Sequence, residues 1–221
     1  CKDSSPITPV DQSNINLVSV YSTNASTNGV FVLPINARNY ALIADGTNGM
    51  QIVDITLVNQ LDSVASYDTD GSANDVTVAT INNDLYAFIS DYSSGLVILD
   101  ISSPTDPFLV GSLNPAGGFV NTTYVDANNL VAYIALGSVV QIYDISTLPN
   151  QPNFLSTINL GGGGSANGLF VSGSYLYIAG GNVGLEIVNI SNPSSPQVVS
   201  VFNTTGAASD VTVNTNYAYV A

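Results

Sequence analysis

Histidine and tryptophan are absent from this chain of 221 residues, and cysteine and methionine occur once each. Cations are nearly absent as well: Lys2 and Arg38 stand against sixteen acidic residues, for a formal net charge of −14. Each shortage excludes something. Without His, no Ser–His or Cys–His nucleophilic pair and no His-ligated zinc can be built. The side chain that most often moves protons near neutral pH is missing too. Two cations cannot neutralise a phosphate backbone or hold an anionic bilayer surface, so nucleic acid is excluded as a partner. One Cys allows no intramolecular disulfide. The longest apolar stretch, Leu130–Tyr143, is interrupted by Gly137, Ser138 and Gln141, well short of the roughly 20 residues of a membrane span. Glu, Lys and Arg together are too few for an amphipathic helix.

What remains is 45% hydrophobic, enough for a core, with 19 Gly and 10 Pro to punctuate it. Val, Ile, Thr, Tyr, Ser and Asn dominate, a composition of strands and turns. One strand recurs as Met50-Gln-Ile-Val-Asp-Ile55, Leu96-Val-Ile-Leu-Asp-Ile101, Val140-Gln-Ile-Tyr-Asp-Ile145 and Leu185-Glu-Ile-Val-Asn-Ile190. A second strand precedes each copy: Tyr40–Ala44, Tyr86–Ser90, Val131–Ala135, Tyr175–Ala179, and again Tyr217–Ala221. A third comes earlier still, opening at Asn28, Asn74, Asn121, Asn167 and Ser209. A fourth follows as Leu61–Ser66, Phe108–Leu113, Phe154–Ile158 and Val198–Phe202, and Leu17–Tyr21 is a further copy standing ahead of the first repeat.

Four short antiparallel strands per unit of about 45 residues predict an all-β fold, a β-propeller of four-stranded blades, with four full blades and a partial one. Residues 1–16 read as a linker and 17–221 as the propeller. Leu17–Tyr21 is expected to close the ring as the outer strand of the last blade, which would protect an open sheet edge. The partial blade has two readings. The chain is a portion of a longer propeller, or a five-bladed ring or an assembly uses what is present, a neighbour contributing the missing strand.

The repeats resemble the LVIVD-repeat family of bacterial and archaeal surface proteins. The resemblance rests on Ala44-Asp-Gly-Thr-Asn-Gly-Met running into Asp54-Ile, and on Ser90-Asp-Tyr-Ser-Ser-Gly-Leu running into Asp100-Ile-Ser-Ser-Pro104. The third copy has a shortened turn, Leu136-Gly-Ser138, and the fourth carries Asn189 in place of Asp. The resemblance implies a propeller at the cell surface and brings no defined activity.

Several residues invite a functional reading. Asp54, Asp100, Asp144 and Asn189 look like a metal or catalytic column, but equivalent positions of different blades lie far apart, and a short carboxylate ending a strand accepts turn amides. The column Asn28, Asn74, Asn121, Asn167 and Ser209, followed by Gly29, Asp75, Thr122, Gly168 and Asp210, would form a polar ring at one mouth of an axial channel. The competing reading is that it caps the turn entering each strand. Asp75 and Asp210 are the residues there that could hold a channel ion. Asp68-Thr-Asp70-Gly71 followed by Asp75 has the D-x-D-G spacing of Ca²⁺ loops, yet no downstream Glu completes an EF-hand, and a solvated acidic turn fits as well. Ca²⁺ is the one cofactor the sequence suggests. Phe88, Tyr133, Tyr177 and Tyr219, with Leu42, repeat once per blade and read as inter-blade packing. Tyr92, a loop aromatic, is a better candidate for sugar binding.

Sequons at Asn24 and Asn203 sit in loops and could carry glycan, whereas those at Asn121 and Asn189 occupy structural positions. Gly161–Gly164 lacks the Lys of a phosphate loop. Cys1, followed by a polar linker, looks like the lipidated residue of a mature bacterial lipoprotein, which would be the protein's one route to a membrane. The expectation is a non-catalytic propeller, extracellular or at the cell surface, that binds a protein partner or self-assembles. The alternatives are a protomer of a surface layer or filament, and a calcium- or carbohydrate-binding propeller.

Overall fold

The computed structural model describes residues 16–115 and 118–221. Four sheets of four antiparallel strands are followed by a two-stranded one, and each sheet is laid down in chain order. The first holds β1 (Gly29–Ile35), β2 (Arg38–Ala44), β3 (Met50–Leu57) and β4 (Gln60–Tyr67). The second holds β5 (Asp75–Ile81), β6 (Asp84–Ser90), β7 (Leu96–Asp100) and β8 (Phe108–Leu113). β9 (Val120–Asp126), β10 (Val131–Leu136), β11 (Val139–Asp144) and β12 (Asn153–Asn159) make the third. β13 (Gly168–Ser172), β14 (Tyr175–Ala179), β15 (Leu185–Asn189) and β16 (Gln197–Phe202) make the fourth, and β17 (Val211–Asn214) and β18 (Tyr217–Val220) the last. The fold is a β-propeller: the inner strands β1, β5, β9, β13 and β17 pack in that order along one axis.

Local chemistry sets the strand ends. The first two hairpins turn through Asn36-Ala37 and Asn82-Asn83, each pair at positive φ, the backbone that matches the twist of a two-residue hairpin loop. The second and third strands of the first two blades are joined by turns ending in Gly49 (φ +67) and Gly95 (φ +88). A Cβ there would lie 2.2 Å from the Tyr67 carbonyl and 2.1 Å from that of Leu113, so only glycine fits.

The core is a series of layers between neighbouring blades. Leu42 and Met50 of the first blade meet Val76 and Ala87 of the second. Phe88 meets Ala132 and Ile134 of the third, and Tyr133 meets Leu176 and Ile178 of the fourth. Leu42, Phe88, Tyr133 and Tyr177 of the once-per-blade column therefore do pack between blades. The same register explains what is exposed. Val30 and Val76 hold equivalent places, but Val76, with a blade before it, is 3% exposed and Val30 is 61%. Phe88 is fully covered, while Tyr219, in the last described sheet, is 56% exposed.

Leu17–Tyr21 is not in a strand, contrary to expectation. An outer strand pairs with the third strand of its blade, and β3, β7, β11 and β15 are each already paired with β4, β8, β12 and β16. Tyr21 packs instead on Ala41, Ile43 and Val53 of the first blade. Among the described residues no helix is long and apolar enough to cross a membrane.

Candidate functional site

The inner strands start, and the second strands end, at one rim of the propeller, as the pairing of Asp75 with Ser90 shows. There all five inner strands surround a cavity of about 530 Å³, whose lining includes Asn28, Asp75, Thr122, Asn167 and Asp210. Asp75 Oδ2 accepts the Thr122 hydroxyl at 2.5 Å and Asp75 Oδ1 accepts the Val76 amide at 2.9 Å. Asp210 caps its own strand in the same way, through the Val211 amide at 2.8 Å. Glycines make the room: a Cβ on Gly29 would lie 2.9 Å from Asp75 Oδ1, and one on Gly168 would lie 2.6 Å from Asp210 Oδ1. Burial pushes the Asp75 carboxyl above its ordinary value, against the hydrogen bonds from Thr122 and Val76, and the charge of Asp210 adds to the rise.

The Asn column is tied into the fold. Asn28, Asn121 and Asn167 donate to the carbonyls of Ala73, Ala166 and Ala208, at 3.0, 3.4 and 3.0 Å, each in the crossover that enters the next blade. These amides staple blade to blade, a role that neither the mouth-ring nor the turn-cap reading anticipated. The Asp-Ile column does cap turns. Asp54, Asp100, Asp144 and Asn189 each accept the backbone amide two residues on, at 2.8, 2.8, 2.8 and 2.9 Å. Asn fills the fourth place because the bond needs an oxygen, not a charge.

The suggested Ca²⁺ set is not assembled. Asp75 faces the cavity, whereas Asp68 and Asp70 are exposed on the crossover beside Asp91. The loop's sharp turn serves Asp91 instead, which is fully buried. Its two oxygens accept the Thr69 hydroxyl at 2.7 Å and the Gly71 amide at 2.9 Å. Burial raises the Asp91 carboxyl, Thr69 and Gly71 oppose this, and Asp70 and Asp68 add to it. Among the described residues no group of three His, Cys, Asp or Glu is placed to hold a metal.

Sibling turns solve the same problem differently. Asp45 holds the place of Asp91 in the first blade, where Asn48 donates to its Oδ2 at 2.9 Å and its buried Oδ1 has no partner. The fourth blade has Gly180 there, and Glu186 reaches across from β15 to accept the Gly161 amide, its Oε2 unpartnered. Glu186 was missed in the sequence. The signal was a lone Glu at the strand position of Gln51, Val97 and Gln141. Asn24 and Asn203 are both exposed in loops. Cys1 lies outside the described residues.

Tyr92 stands out on this rim. Its φ is +45, in the turn position that Gly46 (+53) and Gly181 (+60) occupy in the first and fourth blades. A left-handed backbone costs a residue with a Cβ about 1–2 kcal/mol. The ring stacks on Phe119, which enters the third blade, with centroids 4.3 Å apart and an 11° interplanar angle. Both remain exposed, Tyr92 at 39% and Phe119 at 52%.

Known structures share the architecture. The chain is similar to the β-propeller domain of Myceliophteria thermophila Cps50 (Swd1), with a TM-score of 0.63 at 17% identity over 86% of this chain and 64% of that one. It is similar to a putative 6-phosphogluconolactonase from Bacteroides fragilis, with a TM-score of 0.67 at 14% identity over 86% of this chain and 61% of that one. A computationally designed protein, Ika8, gives a TM-score of 0.64 at 14% identity over 92% and 57%. The chain thus spans less than two thirds of these structures, and at such identities the likeness shows the fold alone. No curated protein sequence matches it. The model of the LVIVD repeat matches residues 37–69, 70–115, 163–204 and 205–221, more than half of the chain. The chain belongs to the LVIVD-repeat family.

Proposed function

We propose that this propeller is a non-catalytic binding module, extracellular or at the cell surface, that works through the acidic rim around its axial cavity. One observation carries the reading: the recurrent carboxylates serve the fold. Asp54, Asp100 and Asp144 hold turn amides, and Asp75 and Asp91 hold a neighbouring blade or crossover. The cavity lining offers hydrogen bonds, and its two carboxylates, Asp75 and Asp210, are each tied to a strand amide, an arrangement suited to recognition. The acidic, cation-poor composition supports the location. Likeness to a putative lactonase supplies the rival chemistry to test. Incubated with 6-phosphogluconolactone and with aryl esters, the protein is expected to give no rate above buffer. A rate abolished by Asp75→Asn would contradict the reading.

A further inference from the structure

Tyr92 and Phe119 are the exposed aromatic pair on a rim whose charge has one sign. Asp45, Asp68, Asp70, Asp75, Asp91 and Asp210 all lie on the turns, crossovers and strand starts of this end. Arg38, the one Lys or Arg among the described residues, opens β2 at the other end and is paired with Asp54 at 2.6 Å. Two of the rim acids adjoin the aromatic turn directly. The crossover of Asp68 and Asp70 is pressed onto it so closely that a Cβ on Gly71 would lie 2.4 Å from the Asp91 carbonyl and 2.8 Å from Ser94 Oγ.

The pair is also costly to keep. Two sibling turns place Gly where this one places Tyr92, so the ring is not required by the turn. A side chain held at a backbone that sibling turns leave to glycine points to a role beyond the turn itself. Stacked on each other, the two rings still keep part of their surface toward solvent, Tyr92 at 39% and Phe119 at 52%. A π face attracts cations, a planar guanidinium best of all, and the surrounding carboxylates strengthen that attraction while repelling anions.

We propose that Tyr92 and Phe119 form the recognition site for a basic peptide segment, with an arginine side chain stacked on the pair and flanking cations facing Asp68 and Asp70. This rests on the binding-module reading and gives it a partner class.

The test is titration of the whole chain with tetra-arginine, tetra-lysine and tetra-glutamate peptides and with cellotetraose, followed by calorimetry and by aromatic ¹H–¹³C spectra. Tetra-arginine is expected to bind more tightly than tetra-lysine, to shift the Tyr92 and Phe119 resonances, and to weaken as salt rises. Tyr92→Gly, the residue of the sibling turns, should lower affinity about tenfold with an unchanged far-UV spectrum. Tyr92→Leu, which keeps apolar bulk and loses the π face, should weaken binding as much. Arginine binding indifferent to both variants overturns the aromatic site but leaves a binding rim. Cellotetraose shifting the pair while tetra-arginine does not overturns the cationic partner. No ligand moving these resonances overturns the site outright, and only lactone or ester turnover would then remove the binding-module reading itself.

Discussion

Asp91 and Thr69 meet across two segments that belong to different parts of the repeat. The buried carboxylate, in the turn between β6 and β7, accepts the hydroxyl of the crossover at 2.7 Å. With the Gly71 amide on its other oxygen, Asp91 fixes the path by which the chain passes from the first blade into the second. Asp91→Ala leaves the hydroxyl and amide without an acceptor and is expected to cost about 3 kcal/mol. Asp45→Asn, at a carboxylate with one oxygen unpartnered, should cost no more than about 1 kcal/mol. Urea unfolding of the two variants checks the contrast, and equal costs would contradict it.

Three buried carboxyls contribute a pH slope of one sign, opposed by Asp54, which Thr56 and Arg38 hold below its ordinary value. Asp75, Asp91 and Glu186 are all raised by burial, so the folded state holds protons more tightly than the unfolded chain. Their contribution is then greatest below the unfolded carboxyl values, 3.8 for Asp and 4.5 for Glu, and falls as pH rises from there through the folded values. Melting temperature is expected to climb on acidification from pH 7 toward pH 4 and to do so less in Asp75→Asn/Asp91→Asn/Glu186→Gln. A triple variant with the parent's slope would contradict this assignment.

The turn-capping column depends on an oxygen rather than on charge. Asn189→Asp should leave stability unchanged, while Asp100→Ala, which frees the Ser102 amide, should cost about 1 kcal/mol. Thermal melts of the pair are sufficient, and loss of stability in Asn189→Asp would argue for a charge-specific role.

Glycine is required at some turns and replaceable at others. Gly95→Ala sets a Cβ 2.1 Å from the Leu113 carbonyl at φ +88 and should cost more than about 3 kcal/mol or prevent folding. Gly173→Ala, at φ +58 with open space around it, should cost about 1 kcal/mol. Comparable penalties would mean that backbone strain, not the carbonyl contact, sets the cost.

Much of this architecture could be read from the chain because a repeat states its own register four times. The Asp-Ile strand, its partner and the inner strand fell into place from spacing alone, and Asn189 showed that the column needed an acceptor and not a charge. Contacts between repeats were less legible. Asp75 follows Asp68 and Asp70 closely in sequence, but the start of β5 turns it toward the axis and Thr122, forty-seven residues on, so proximity along the chain misassigned it to a calcium loop. Leu17–Tyr21 carries an outer-strand pattern, yet a strand needs a partner edge, and that is a property of the fold rather than of the segment. Tyr92 reads in the sequence as a lone loop aromatic. Its partner Phe119 belongs to another blade, where no local pattern joins them.

Spin labels on β5 and β17 give the most direct measurement of the arrangement on which the rim, the cavity and the stapled blades all depend. Labels at Thr77→Cys and Thr212→Cys, with Cys1→Ser removing the native thiol, sit on strands that line the same cavity. They lie three blade steps apart along the chain, so a linear stack of sheets about 10 Å apart would hold them ~30 Å from each other. Curvature around one axis predicts a single narrow distance well below that, and a distribution centred at ~30 Å or beyond would contradict it.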